Sequence, residues 1–238
     1  MKTNKIYNIV TLIYKMIVYN LRIIFANRFI WFLAGSVFFY LGLSVIHVFN
    51  NDVSRMNDLY EIFLFSGILL VFYPSVFGIQ NDQDARTIEI LFGIPNYRYK
   101  VWLVRIVLIF VIAFLIMLVF TFISSVLIVK FRFVDMTVQV MVPVLFLGMM
   151  AFMLSTVVRN GNGTAVLMIV FGLFFMILSD NLYRSQWNVF LNPYNAPRDV
   201  NETTWAIITL KNRIILITGS IIFLLAALFN LQKREKFM

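Results

Sequence analysis

The chain has 238 residues, of which 61% are hydrophobic and 17% aromatic, while only 13% are charged. A soluble domain of this length cannot bury so much apolar surface, so the composition excludes a soluble protein and predicts an integral membrane protein. There is no cysteine and a single histidine, His47. These two counts exclude a disulfide framework, thiolate metal sites and a histidine-rich metal site within one chain.

The first segment, residues 1–28, holds five basic and no acidic residues. Apolar residues recur at helical spacing from Ile6 to Ile24, and Lys15 and Arg22 fall away from them. A basic amphipathic helix of this kind lies in the headgroup layer. A signal peptide is the competing interpretation, but no small-residue cleavage site follows the apolar run. The segment therefore predicts an N-terminal interfacial helix.

Six apolar runs follow, each close to the roughly 20 residues that cross a hydrocarbon core of about 30 Å. They predict an all-α integral membrane fold in one transmembrane domain, with spans at residues 29–49, 59–80, 102–129, 138–158, 164–182 and 214–231. The centres of these spans carry no ionisable residue. That absence argues against an ion-coupled transporter and against an intramembrane hydrolase.

Four ionisable residues lie close to span ends, where their side chains reach the interface: His47, Glu61, Arg105 and Asp180. For Arg105, two partners remain open, namely Glu89 or the phosphates of the lipid headgroups.

A charged stretch at residues 81–98 separates spans two and three. Its start has the pattern of a short amphipathic helix, with Ile88 and Leu91 on one face and Arg86 and Glu89 on the other. Pro95 stops the helix, because proline lacks an N–H and disfavours helix in the preceding residue. A helix this short and polar is expected to lie across the membrane surface, where a soluble partner binds.

The residue order of this stretch resembles the signature acidic-x-acidic-x-Gly-Thr-Leu-Glu-Leu-Leu-x-x-x-Pro-x-x-Arg of exporter-type (type-2 superfamily) ABC transporter permeases. The matching residues are Asp82, Asp84, Thr87, Glu89, Leu91, Pro95 and Arg98. Arg86 stands where the family has glycine. In that family the stretch is the coupling helix that docks on the ATP-binding subunit. The resemblance thus implies docking roles for Asp82, Asp84, Arg86, Thr87, Glu89 and Arg98.

The resemblance also implies the partners. Two permease subunits, identical or paralogous, form the pathway, and ATP and Mg are bound by separate ATP-binding subunits rather than by this chain. The chain indeed lacks the phosphate-binding pattern G-x-x-x-x-G-K-[ST]. In the family, spans two and five line the dimer interface and the path, which implies wall positions at Phe63, Phe72, Phe171, Phe174 and Met176. For any one of these side chains, contact with lipid is the competing interpretation.

Charge asymmetry predicts the orientation. With the N-terminus inside, 13 of the 20 Lys and Arg residues lie on the inner side, and 7 of the 11 acidic residues lie outside. Both termini are therefore predicted to be cytoplasmic. The net charge of +9 follows from this topology, so nucleic acid is not a predicted partner. Composition favours a bacterial inner membrane.

The longest outer segment, residues 183–213, combines turn signals with aromatic residues typical of the membrane boundary, such as Trp187 and Trp205. It is predicted to contain short interfacial or re-entrant helices, with a solvated loop as the alternative.

Taken with the resemblance, these patterns predict a permease subunit of an ABC exporter and not an enzyme. The apolar spans favour a hydrophobic or amphipathic cargo: lipid, glycolipid, peptide or drug. Mechanical work on a membrane-bound partner is also compatible with so short a chain. The alternative is a non-transporting six-span scaffold or assembly factor, which would have no ATPase partner. A membrane-embedded enzyme is the third possibility.

Overall fold

A computed structural model describes residues 29–49, 56–84 and 98–232. Of these residues 84% are helical, and none of them forms a strand. The helices are α1 (Phe29–Phe49), α2 (Met56–Asp84), α3 (Val104–Leu127), α4 (Phe133–Val158), α5 (Gly161–Asn181) and α6 (Glu202–Asn230), with a π-helical segment, Arg98–Leu103, before α3. Six helices are long and apolar enough to cross a membrane. This confirms the all-α prediction and is what an integral membrane protein requires.

Two predicted elements fall largely outside the described residues. The interfacial helix predicted at residues 1–28 is wholly outside them, and so are residues 85–97 of the predicted coupling helix. Residues 81–84 form the last turn of α2, and Arg98 is the first residue of the π-helical segment.

The last span differs from its predicted limits, because α6 begins at Glu202 and not at residue 214. The apolar run begins only after the polar residues Asn212 and Arg213, so its length did not indicate that the helix starts earlier. Trp205, Thr209, Asn212 and Arg213 recur at helical spacing and are buried. Packing of this face inside the protein therefore extends the helix beyond the apolar run.

The prediction of short helices within residues 183–213 was wrong. Residues 182–201 form turns and bends, and the rest of the segment belongs to α6. The side chains of Asn188 and Asn192 accept hydrogen bonds from the backbone N–H groups of Phe190 and Tyr194, both at 3.0 Å. Such asparagine turns compete with helical hydrogen bonding.

The core of the bundle lies around α2 and α4. In each of these two spans 61% of the residues are buried, against 22% in α1 and 17% in α5. α2 packs against α1, α3, α4 and α5, and α4 packs against α2, α3, α5 and α6. The outward faces of α1 and α5 carry large exposed apolar side chains, among them Trp31, Phe38, Val170 and Phe174. Lipid or another membrane protein is the suitable environment for such faces.

Consecutive helices run in opposite directions, which gives the bundle two ends. The Asp82 end contains the last turns of α2, α4 and α6. There the backbone N–H of Gly161 donates to Oε1 of Gln80, and Nδ2 of Asn230 donates to Oγ1 of Thr156 at 3.3 Å. The Arg213 end contains the first turns of the same three helices together with residues 182–201. There Nδ2 of Asn192 donates to the carbonyl of Asn57 at 3.0 Å.

Close approach of the central helices depends on Gly148 in α4. A Cβ atom at this position would lie less than 3.0 Å from the side chains of Val71 in α2 and Phe110 in α3. Glycine therefore lets three core helices meet at one point, as small residues do in membrane helix packing.

We expect Gly148→Ala to destabilise the protein by about 1–3 kcal/mol, because the added methyl group overpacks a closed contact. Gly172→Ala in α5 is the matched control, since no atom lies within 4 Å of its added Cβ and alanine is the better helix former. Thermal unfolding of both variants in detergent checks this. Equal melting temperatures for the two variants would contradict the packing described for Gly148.

Candidate functional site

A buried ion pair joins α2 and α3 at the Asp82 end. Nη1 of Arg105 lies 2.7 Å from Oδ2 of Asp82, and the two side chains are only 5% and 6% exposed. The guanidinium of Arg105 also stacks over the indole ring of Trp102, with 4.7 Å between its Cζ atom and the ring centroid. A desolvated pair of this kind holds its two helices together strongly, because separating the partners leaves a buried charge uncompensated.

The location of this pair follows from the chain order. Asp82 lies in the last turn of α2 and Arg105 in the first turn of α3, and residues 85–103 connect the two helices. The end of one span and the start of the next are therefore neighbours on the same side of the bundle. The partner found is Asp82; Glu89, one of the two partners predicted for Arg105, lies outside the described residues, so that pairing stays a prediction. Because Arg105 is buried, it does not reach lipid phosphates.

Among the predicted docking residues, Asp82 is the one whose side-chain surroundings the structure describes. Asp82 is buried and bound to Arg105, so its carboxylate anchors the segment and is not on its exposed surface. Asp84 ends α2, and Arg98 begins the π-helical segment. The remaining three docking residues lie outside the described part of the chain: Arg86, Thr87 and Glu89.

Phe63, a predicted wall residue, belongs to the interior of this subunit. Its side chain is fully buried in the core cluster. Its ring centroid lies 6.0 Å from that of Tyr40 and 6.4 Å from that of Phe131. It therefore forms part of the contact between helices and faces no open surface of the described bundle.

The other predicted wall residues lie on or near α5. Phe171, Phe174 and Met176 are exposed apolar side chains of α5. Phe72 is half-buried and lines, with Met168 of α5, a small apolar cavity between α2, α4 and α5. The structure thus brings four of the five residues to the region of α2 and α5, while Phe63 lies apart in the core.

A second buried arginine organises the opposite end. Arg213 of α6 donates from Nε to Oε1 of Gln139 at 2.8 Å, and from Nη1 to Oδ1 of Asn212 at 2.9 Å. Its Nη2 donates to the hydroxyl of Tyr60 at 3.1 Å and to the carbonyl of Leu191 at 3.2 Å. One guanidinium therefore connects α2, α4, α6 and the turn segment, and all four acceptors are electrically neutral.

Neighbouring side chains complete this network. Nδ2 of Asn212 donates to the carbonyls of Gln186 and Asn188 at 2.9 and 2.8 Å, which fastens the turn segment to α6. The ring of Tyr194 lies 6.1 Å from that of Tyr60. Burial raises the pKa of the Tyr194 phenol, and the carboxylate of Asp135 raises it further, so the phenol stays neutral at physiological pH.

Sequence reasoning missed Arg213, because it assigned this residue to the outer segment at residues 183–213, which it predicted to contain short interfacial or re-entrant helices, and not to the last span. A signal was present: Trp205, Thr209 and Arg213 follow one another at intervals of four residues, which places them on one face of a helix. Between α4 and α6 that face borders a groove of about 610 Å³. No group of three His, Cys, Asp or Glu side chains in the described ranges is placed to hold a metal ion.

No protein-family model, curated protein or solved structure matches the chain. The class that the fold defines is an all-α integral membrane protein with six helices able to span the bilayer. Its function is inferred from its own residues.

We expect Asp82→Ala to lower the free energy of unfolding by about 3–5 kcal/mol, because it leaves the Arg105 charge buried and without its carboxylate. Asp199→Ala is the control: it breaks the exposed Arg184–Asp199 ion pair and is expected to change stability by less than about 1 kcal/mol. Unfolding in detergent measures both. Equal losses of unfolding free energy in the two variants would show that the buried ion pair stabilises the protein no more than the exposed one.

For the opposite end, we expect Arg213→Met to lower the free energy of unfolding by about 3 kcal/mol, since the acceptors Gln139, Asn212 and Tyr60 lose their donor. The same variant is expected to increase proteolysis within residues 182–201. Lys211→Met, at an exposed position on the same helix, serves as the control. Protease resistance equal to that of the unmodified protein would contradict the role given to Arg213.

Proposed function

We propose that this chain is the permease subunit of an ABC exporter. Separate subunits would bind ATP and Mg and dock on the segment at residues 81–98. The observation that supports this most is the buried Asp82–Arg105 ion pair. It joins the two spans between which the segment with the permease-like motif lies, and both spans pack against the core. A segment held in this way is suited to transmit force.

The packing suggests how such force would spread. A push on residues 85–97 would move the ends of α2 and α3 together, because separating the ion pair leaves two buried charges uncompensated. α2 contacts four other helices, and α4 contacts α6, so displacement of α2 reaches most of the bundle. ATP-driven closure of the partner subunits would thus bias two arrangements of the helices, one open to each side.

The pathway would form with a second permease subunit, identical or paralogous. The exposed apolar face of α5, which includes Phe171, Phe174 and Met176, is the surface we assign to that contact, with Phe72 beside it. Because this wall is apolar, the favoured cargo is a hydrophobic or amphipathic molecule such as a lipid, a glycolipid, a peptide or a drug. Mechanical work on a membrane-bound partner would use the same coupling.

For the orientation, we propose that the Asp82 end and both termini face the cytoplasm of a bacterium, with the protein in the inner membrane. The excess of Lys and Arg on that side supports this assignment.

One observation favours the alternative, a non-transporting six-span scaffold or assembly factor. At the Arg213 end the same guanidinium joins α2, α4, α6 and the turn segment. These hydrogen bonds resist relative motion of the helices. That resistance suits a static membrane protein that holds other proteins in place.

Affinity purification of the tagged chain from its native membrane in mild detergent tests the proposal. We expect a polypeptide with ATP-binding motifs to co-purify in about equal amount. Glu89→Arg is expected to abolish this association, because it reverses a charge on the face predicted to dock. Glu202→Arg makes the same change at the opposite end and is expected to retain the partner.

The outcomes separate the functions clearly. Loss of the ATPase only with Glu89→Arg supports a coupling helix at residues 81–98. A preparation without any ATPase would support the scaffold instead. Loss of an intrinsic activity on substitution of Glu61, His47 or Asp180 would point to a membrane-embedded enzyme.

A further inference from the structure

We propose that the groove between α4 and α6 at the Arg213 end binds one anionic phospholipid of the surrounding bilayer. Arg213, Gln139 and Thr209 would receive the headgroup phosphate, and the apolar walls would receive an acyl chain. The proposal rests on residues of this end alone and does not depend on an ATP-binding partner.

The polar residues of the groove lie at the depth of the headgroups. Arg213 immediately precedes the apolar run that starts at residue 214, and Gln139 is at the start of the run that begins at residue 138. Along α6, Arg213 is about 26 Å from Asn230 at 1.5 Å per residue. Since the hydrocarbon core is about 30 Å thick, Arg213 lies close to its boundary, within reach of a phosphate.

The charge of Arg213 has no carboxylate partner within the described residues. Asp135 forms its ion pair with Arg132 at 3.1 Å. Glu202 also lines the groove, but it is about 16 Å from Arg213 along α6, at the 1.5 Å rise of a helix, so the two charges belong to different parts of the groove and the phosphate would bind at the Arg213 part. A buried cation whose acceptors are all neutral raises the local positive potential, and this favours an anion in the adjoining groove.

Three polar residues that line the groove have hydrogen-bond donors without an acceptor in the described part of the chain. Nη1 of Arg213 carries two N–H bonds, of which Asn212 accepts one, and Gln139 still has its amide NH₂ group after accepting from Nε. The buried hydroxyl of Thr209 has no partner among the described residues. By contrast, the hydroxyl of Thr218 on the same helix donates to the carbonyl four residues earlier, at 2.8 Å.

The shape and walls of the groove select a lipid over a small soluble anion. Its volume of about 610 Å³ is larger than a phosphate needs. Its apolar lining continues along both helices, with Val138 and Val142 on α4 and Leu210 and Ile217 on α6. Val138, Leu210 and Ile217 are exposed on the outside of the bundle, so the groove opens toward the bilayer. A molecule with an anionic head and an apolar chain matches both parts.

The test is native mass spectrometry of the full-length protein, delipidated in detergent and titrated with phosphatidylglycerol or with phosphatidylcholine of the same acyl chains. We expect phosphatidylglycerol to bind about tenfold more tightly. Thr209→Val is expected to weaken phosphatidylglycerol binding about tenfold, as for one lost hydrogen bond to a charged group. Thr218→Val removes a hydroxyl outside the groove and is expected to leave binding unchanged.

A second pair of variants tests the apolar wall. Leu210→Trp is expected to obstruct the groove and to weaken phosphatidylglycerol binding at least tenfold. Folding should be retained, because Leu210 is exposed. Ile222→Trp, at another exposed position of α6 that does not line the groove, is the control.

Three results would overturn the proposal. One is equal affinity of the unmodified protein for the two lipids. Another is unchanged phosphatidylglycerol binding in both Thr209→Val and Leu210→Trp. The third is displacement of the bound lipid by soluble glycerol phosphate at similar concentration, which would identify a site for small anions.

Discussion

A guanidinium group inside an apolar helix bundle needs acceptors for its N–H bonds, because a buried charge left unpaired costs several kcal/mol. Two arginines impose this requirement at opposite ends of the protein. Arg105 meets it in part, since Nη1 donates to the carboxylate of Asp82 and the guanidinium stacks on the indole of Trp102, while Nε and Nη2 have no hydrogen-bond partner among the described residues. Arg213 meets it with four neutral acceptors. Each set includes an acceptor on another helix, Asp82 of α2 for Arg105 and Tyr60 of α2 and Gln139 of α4 for Arg213, so each arginine links helix ends to one another.

The two arginines differ in whether their positive charge is balanced by a carboxylate. At Arg105 the carboxylate balances the charge, and the result is a mechanical link between α2 and α3 beneath the segment expected to receive an ATPase. At Arg213 the acceptors are neutral, so the positive charge persists beside an open groove. The first arrangement is suited to transmitting force and the second to holding an anion. This difference is why we assign coupling to one end and lipid binding to the other.

The permease and scaffold hypotheses place different demands on the Arg213 network. In a transporter, α6 and the turn segment would move as one body with α2 and α4, since the guanidinium contacts all of them. Relative motion would then be confined to α1 and α5, the two least buried spans, because the Asp82–Arg105 ion pair also links α3 to α2. In a scaffold the same network would stay unchanged throughout. The network thus bears on which helices are able to move, whichever function holds.

The sequence by itself determined the number of spans and the all-α class, because each apolar run has the length and composition that a bilayer requires. It also placed charged residues near span ends. Only the tertiary structure decided the partners of those charges. Asp82 was predicted to dock on a partner subunit, but its side chain is buried. Arg213 was predicted to lie in the outer segment before the last span, but it belongs to α6 and hydrogen-bonds to α2 and α4. Periodicity reports which residues share a face of one helix, but pairing between helices depends on how they pack, and no local pattern encodes that.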